Sequence, residues 1–414
     1  MERVVITGMG VISPLGNDTE TFWSRLSRGE SGISPIDTFD TLKHKVKIAG
    51  TVKEFDPNER FGAKEARRMD RFCQFALAAA EQAVSSSGLD LNQVNRERMG
   101  VYVGSGIGGI QTLMNQSETL ATRGPERISP TLVPMMIPNM AAALISIRYG
   151  TLGPTLAPVT ACSIGNTAIG EAFYHIQAGR SDVIIAGGTE AALTGISVAS
   201  FANATALSTR EGDPARASRP FDADRDGFVM AEGAGILILE SLTHAKRRGA
   251  PILGEVIGYG ASSDAYHMVA TPADGEGAAR AMRAALAEAG LSPADIDVIS
   301  AHATSTVIGD RSETAAIKQV FGEHAYRIPV TANKSMTGHM LGASGGVEAI
   351  ALVKSLQEGV IPPTINLETP DPECDLDYVP NRARSSDRLR IGISNSFGFG
   401  GHNSAIIIRK YESE

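Results

Sequence analysis

Residues 159–188 read VTACSIGNTAIGEAFYHIQAGRSDVIIAGG. A loop of small and polar residues ends at Cys162. Residues 164–179 then place apolar side chains at three-to-four spacing and close on glycine, and DVIIAGG is a β-branched run bounded by glycine. The order is loop, helix, strand, and the near-continuous apolar run at 183–186 is that of a strand buried on both faces. A weaker echo occurs downstream, where a loop ending at His339 opens an apolar helix over 343–358 with strand-like runs on either side. Two similar halves are therefore expected, divided near residue 250 where HAKRRGAP makes a polar, Gly/Pro-containing boundary.

Working outward, strands are expected at 4–7, 101–103, 235–239, 253–257, 296–300, 391–394 and 405–408, and helices at 71–87, 275–289 and 312–321. Strands alternating with helical patterns define an α/β chain. No repeat of 20–50 residues is visible, which removes solenoids and propellers.

Composition narrows the function classes. The 414 residues are 43% hydrophobic and 20% charged, with 38 Lys and Arg against 46 Asp and Glu. A net charge of -8 provides no global attraction for nucleic acid or anionic membrane. No apolar run approaches the ~18 residues of a membrane span, and MERVVITGMG does not have the pattern of a leader peptide. A cytoplasmic enzyme is expected. Cys73, Cys162 and Cys374 lie far apart without a C-x-x-C pair, which disfavours a disulfide framework or zinc knuckle.

Cys162 stands directly before a helix, whose N-terminal N–H groups and partial positive charge are expected to lower a thiol pKa. Burial as a small hydrophobe is the competing reading, and for Cys73 and Cys374 it is the preferred one. Of eight histidines, His44, His175, His244 and His324 have charged or polar neighbours and are expected at the surface. His302 ends an apolar strand and His339 precedes GASGG, both places where α/β sheets put active groups. The 44 glycines gather in runs, GSGIGG at 104–109, GASGG at 342–346 and GFGG at 398–401. With no clear helix and acidic strand end expected after GSGIGG, a dinucleotide loop is not assigned. No phosphate-loop or H-E-x-x-H pattern occurs, so the runs are read as close packing and as backbone N–H donors to a substrate. One cysteine, two loop histidines, Lys334 and the Phe397–Phe399 loop form a set suited to acyl transfer onto a thiol followed by carbon–carbon bond formation.

Twelve segments in one order then carry a resemblance: VVITGMGVISPLGND, KEARRMDRF, VGSGIGG, VTACSIG, DVIIAGGTEA, ALSTR, SRPFDADRDGFVMAEGAG, SSDAYHM, HATST, KSMTGH, GVIPPTINLETPDPECDLDYVP and NSFGFGGHN. The chain resembles the β-ketoacyl-acyl carrier protein synthases of type II fatty acid synthesis, most closely the elongating synthase II branch. The resemblance implies a thiolase-like fold with two related halves, 1–250 and 251–414, in a five-layered α-β-α-β-α arrangement, usually a homodimer. It implies acylation of Cys162, oxyanion donors from Cys162 and Phe399, decarboxylation and enolate stabilisation by His302 and His339, and electrostatic tuning by Lys334. Phe399 is the implied gate, in a loop with Phe397 and Gly400. Thr304 and Thr306 would contact phosphopantetheine, Ile107 would line the acyl pocket, and Lys64, Arg67, Arg68 and Arg127 would receive an acidic carrier protein. No dissociable cofactor is implied, because acyl and malonyl groups arrive on carrier protein. Glu313 and Glu348 match acidic residues tied to water or a structural cation. Departures are Ala303, where glycine is usual, Val307, where proline is frequent, Asn333 before Lys334, and Thr205, where relatives are often basic. The alternatives are a polyketide ketosynthase and a non-catalytic carrier-binding paralogue.

Overall fold

The structure is a computed structural model and describes residues 1–412. Ten strands form one sheet: β1 (Val4–Ile12), β2 (Met99–Gly104), β3 (Thr155–Leu156), β4 (Val183–Glu190), β5 (Gly233–Ser241), β6 (Gly254–Ser263), β7 (Val298–Ser300), β8 (Val330–Thr331), β9 (Ile391–Gly398) and β10 (His402–Arg409). Their order is β8-β7-β9-β10-β6-β1-β5-β4-β2-β3. Read inward from either edge, each set of five follows the same plan: third, second, fourth, fifth, first. The pairing directions match as well, since the third, second and fourth strands are parallel and the fifth is antiparallel to its neighbours in both sets. The echo in the sequence is thus a repeated five-stranded unit, joined where β1 pairs antiparallel with β6.

Six helices complete the layers: α1 (Arg71–Ser87), α2 (Met140–Tyr149), α3 (Ile164–Gln177), α4 (Glu276–Ala289), α5 (Val307–Phe321) and α6 (Ser344–Glu358). Between the two half-sheets lie α3 and α6, whose Ala168, Ile169, Ile176, Ile350 and Leu356 pack with Leu237 and Leu239 of one half and Ile406 and Ile408 of the other. The outer face of the first half is covered by α1 and α2, and that of the second by α4 and α5. Helix, sheet, helix pair, sheet and helix make the five layers of a thiolase-like fold. The α3–α6 crossing depends on glycine: a Cβ at Gly165 would lie 2.3 Å from the Gly346 nitrogen. Each fully buried aliphatic side chain of that central layer contributes about 1.5–3 kcal/mol.

Local signals explain the element ends. Asp70 caps α1 by accepting from the Phe72 N–H, and Gly88 ends it in the left-handed region at φ 62°. Several expectations need correction. Helix α5 begins at Val307, five residues before the expected 312, with Thr306 in extended conformation as its N-cap residue. A helix, Ile110–Arg123, does follow GSGIGG. His244 is buried and hydrogen-bonded to Glu240, a carboxylate that Arg248 and Thr7 also bind. His175 and His324 are half-buried, each with a hydrogen-bond partner, in Tyr102 and the Ile296 carbonyl.

Candidate active site

Two matching elbows open the central helices. Ala161–Ser163 forms a 3-10 turn before α3, with Ala161 at φ 50°, and Leu341–Ala343 forms the same turn before α6, with Leu341 at φ 48°. A left-handed non-glycine residue costs about 1–2 kcal/mol, and such strain is typical of functional turns. Each elbow touches the fourth strand of the opposite half, the first against β9 and the second against β4.

The first elbow carries Cys162, into a cavity of about 480 Å³ that His302 and His339 also line. The imidazoles stand 5.4 Å apart, ring centre to ring centre, and nearly perpendicular. His302 is placed by the end of β7, where its N–H and that of Ala303 donate to the buried Glu313 carboxylate at 2.9 and 2.7 Å. Asn395 on β9 donates to the same carboxylate. His339 is placed by the second elbow, with Nδ1 3.1 Å from the Ser344 hydroxyl at the start of α6. Its Nε2 makes no hydrogen bond. Lys334 does not line the cavity; it is buried behind it, paired with Glu348 of α6.

Electrostatics follow from burial, from this ammonium and, at Cys162, from the Glu190 carboxylate, which raises the thiol pKa. Burial, with Lys334 as the next cause, holds both His302 and His339 well below the usual imidazole range, so both are neutral at pH 7. Burial pushes the Cys162 thiol up to about 12, against the lowering effects of Lys334 and of the N–H groups of Phe399 and Cys162. The expected depression by the helix N-terminus is therefore outweighed. Cys162 rests as a thiol, and its proton must be taken during reaction. Cys73 is pushed well above the thiol range and Cys374 up to about 11, both chiefly by burial, and neither lines the cavity.

Thr304, Thr306, Ile107, Phe397 and Phe399 line the same cavity, which brings them together with Cys162 as expected. The two threonine hydroxyls are 3.1 Å apart on one wall. Phe399 packs at 6.1 Å from Phe201, and the next residue, Gly400, at φ 85°, donates to the Met268 carbonyl. Ala303 takes φ 30° where glycine would be unstrained, and Glu313 fixes it there. Lys64, Arg67, Arg68 and Arg127 lie outside the cavity, in or beside the short helices Ala63–Ala66 and Pro125–Arg127. Thr205 is at the cavity wall.

Glu348 Oε2, on the residue that pairs with Lys334, and Asn395 Oδ1, on β9, are each buried without a partner. Among the described residues no group of three or more His, Cys, Asp or Glu could hold a metal ion. Sequence reasoning missed Ser344 and Glu190. The latter ends β4, is fully buried and lines the cavity. A lone carboxylate closing an apolar strand was the signal for it.

Among the described residues no helix is long and apolar enough to cross a membrane. Residues 1–245 match the family model of the beta-ketoacyl synthase N-terminal domain, and 253–368 that of its C-terminal domain. The chain is 52% identical over 411 residues to a 3-oxoacyl-[acyl-carrier-protein] synthase 2 of Synechocystis, covering 99% of each chain. It is 50% identical over 412 residues to one from Staphylococcus aureus, covering 100% of this chain and 99% of the other. A beta-ketoacyl synthase from Burkholderia phymatum superposes with a TM-score of 0.91 at 35% identity over the whole of both chains. A type II polyketide ketosynthase solved with its acyl-carrier protein and bound to the hexaketide gives 0.90 at 38% identity, covering 99% of this chain and 100% of that one.

Proposed function

From the premise that this chain belongs to the β-ketoacyl synthase family, we propose that it elongates fatty acids by decarboxylative condensation of malonyl-acyl carrier protein with an acyl group held on Cys162. The observation that carries this reading is one cavity shared by a thiol and two neutral imidazoles, with a buried ammonium behind them.

In the first step the Cys162 sulfur attacks the acyl-carrier thioester, its proton passing to a neutral imidazole and then to the departing pantetheine thiol. In the second, the malonyl bond to its carboxylate breaks, CO2 leaves, and the electron pair remains as an enolate. Neutral imidazoles of His302 and His339 serve as hydrogen-bond donors to its oxygen, and Lys334 keeps them neutral. The enolate carbon attacks the acyl-Cys162 carbonyl, whose oxyanion receives the N–H groups of Cys162 and Phe399, and collapse expels the thiolate. Stabilising the enolate more than the malonyl group is what accelerates the step.

Thr304 and Thr306 receive the pantetheine arm, Ile107 bounds the acyl chain, and Phe399, freed by Gly400 and backed by Phe397, gates entry. Lys64, Arg67, Arg68 and Arg127 dock the carrier protein. The protein needs no dissociable cofactor, since phosphopantetheine arrives on the carrier. Near Glu348, whose Oε2 is buried without a partner, the reading puts a water or a structural cation, outside the chemistry. It further assigns residues 1–250 to the half bearing the nucleophile and 251–414 to the half bearing both histidines, and a cytoplasmic location. A homodimer is supported by the edge strand β3, where Leu156 is exposed and flanked by exposed Ile147, Leu152 and Val159. Sedimentation as a monomer at micromolar concentration would count against it.

The test is incubation of the pure protein with acyl-carrier thioesters and malonyl-carrier protein, with mass detection of β-ketoacyl product. Wild type is expected to form it, and Cys162→Ala to lose at least about 10³-fold in rate. Equal product from both removes the mechanism. Turnover with polyketide carriers alone replaces fatty acid elongation by polyketide synthesis.

A further inference from the structure

The Gly-rich loop that follows β2 cradles an anion, but one belonging to the protein. Glu190 Oε1 accepts from the Ser105 hydroxyl at 2.8 Å and from the Ile107 N–H at 3.1 Å. Its Oε2 accepts from the Gly106 N–H at 2.9 Å and from the Gly342 N–H at 3.2 Å. Both oxygens thus have two donors each, which fills the acceptor sites of a carboxylate. Burial raises the carboxyl pKa above its usual range, opposed by those same four bonds. Three of the donors belong to the loop bearing Ile107, and the fourth to the second elbow, three residues after His339.

The geometry points to Glu190 as a positioning residue that locks the Ile107 loop to the second elbow and thereby sets which acyl chain lengths the cavity accepts. This rests on the reading of the cavity as an acyl pocket. Gly106, Ile107, Glu190 and Leu341 all line it, so a shift between loop and elbow moves two parts of its wall at once. Glycines at 104, 106, 108 and 109 would otherwise leave the loop many conformations. An apolar pocket distinguishes one methylene by about 10–200-fold. A displaced wall must therefore appear in the chain-length profile before it appears anywhere else. Glu190 makes no hydrogen bond to Cys162 or to either histidine; its charge raises the Cys162 pKa, an effect common to every chain length that cancels in the ratio, whereas its hold on Ile107 and the elbow does not.

Glu190→Gln tests this, because the amide keeps the size of the side chain but turns an NH2 toward two N–H or hydroxyl donors in either orientation. Condensation kcat/KM is measured for a series of saturated acyl-carrier thioesters from four to sixteen carbons, alongside thermal unfolding and malonyl decarboxylation without acyl primer. The expected result is a change of about fivefold or more in the ratio of long-chain to short-chain kcat/KM, with decarboxylation retained. Ser105→Ala, which removes one of the four bonds, should shift the ratio in the same direction by less and guards against loss of the fold in Glu190→Gln. An unmoved ratio in both variants overturns the proposal, as does a uniform fall at every chain length accompanied by lower thermal stability. Wild type without product at any length would instead overturn the functional reading, so the two failures are told apart by the wild-type control.

Discussion

The two elbows share a backbone and differ in what fills them. At the first, the residue after the left-handed Ala161 is Cys162, whose sulfur faces the N–H groups of Phe399 and of its own residue. At the second, the residue after the left-handed Leu341 is Gly342, whose N–H meets the Glu190 carboxylate. The opposing strand end brings backbone donors to a reactive side chain in one case and a fixed anion to a backbone donor in the other. The repeated unit gives both sites the same frame, and side chains alone decide that one carries Cys162, the nucleophile of the proposed reaction, while the other holds His339 and binds Glu190. Lys334 acts on both from one buried position, lowering the pKa of Cys162, which favours its thiolate, and those of His302 and His339, which favours neutral imidazole.

Removing that shared charge should have the largest effect on the comparison. Lys334→Met leaves Glu348 buried without its partner and is expected to cost about 3–5 kcal/mol in denaturant unfolding. Because Lys334 depresses both imidazoles, its loss raises their pKa values toward the ordinary range, so the acid limb of the condensation pH profile should move to higher pH. The double variant Lys334→Met, Glu348→Gln should recover most of the stability and keep the displaced acid limb. Recovery of both would mean that the histidines respond to packing and not to charge.

A smaller effect is expected from Gly342→Ala. An added Cβ would lie 2.9 Å from Glu190 Oε2 and 3.1 Å from the Ile164 side chain. Gly342 has no left-handed φ, so the cost is collision alone, about 1–3 kcal/mol of stability for an overfilled core, read by thermal or denaturant unfolding. A neutral result would mean that the Glu190 cradle yields easily, and would weaken the contrast between an open elbow and a filled one.

The parts of this arrangement that were legible in the sequence are those set by local chemistry. Helix α1 follows from Asp70, the apolar run and Gly88, and the paired loop-to-helix transitions at Cys162 and His339 signal the duplication that strand order then displays. The two-residue strands β3 and β8 are too short to carry a pattern, and β3 is exposed besides. The helix N-terminus beside Cys162 is visible in sequence, whereas the desolvating cavity wall that pushes its thiol upward is assembled from both halves and is not. Glu190 escaped for a related reason: its donors Ser105, Gly106, Ile107 and Gly342 are distant along the chain, and only the fold assembles them.

The smallest predicted effect is the most discriminating. The first residue of α3 is Ile164, which packs on Gly104 and Gly342, while the corresponding first residue of α6 is Ser344, whose hydroxyl meets His339 Nδ1. If Ser344 donates to Nδ1, the proton of the neutral imidazole is held on Nε2, the nitrogen left without a partner and available to the enolate oxygen. Ser344→Ala removes that preference and lets the other tautomer compete, at the cost of a single neutral hydrogen bond. The expected loss is about 2–10-fold in kcat for condensation, with KM for malonyl-carrier protein unchanged. Acylation of Cys162, followed by mass, should keep its wild-type rate, because the change is confined to the second elbow. If acylation slows in step with condensation, the two elbows act as one unit and the division of labour between them fails; if neither moves, the tautomer of His339 is set by something other than Ser344.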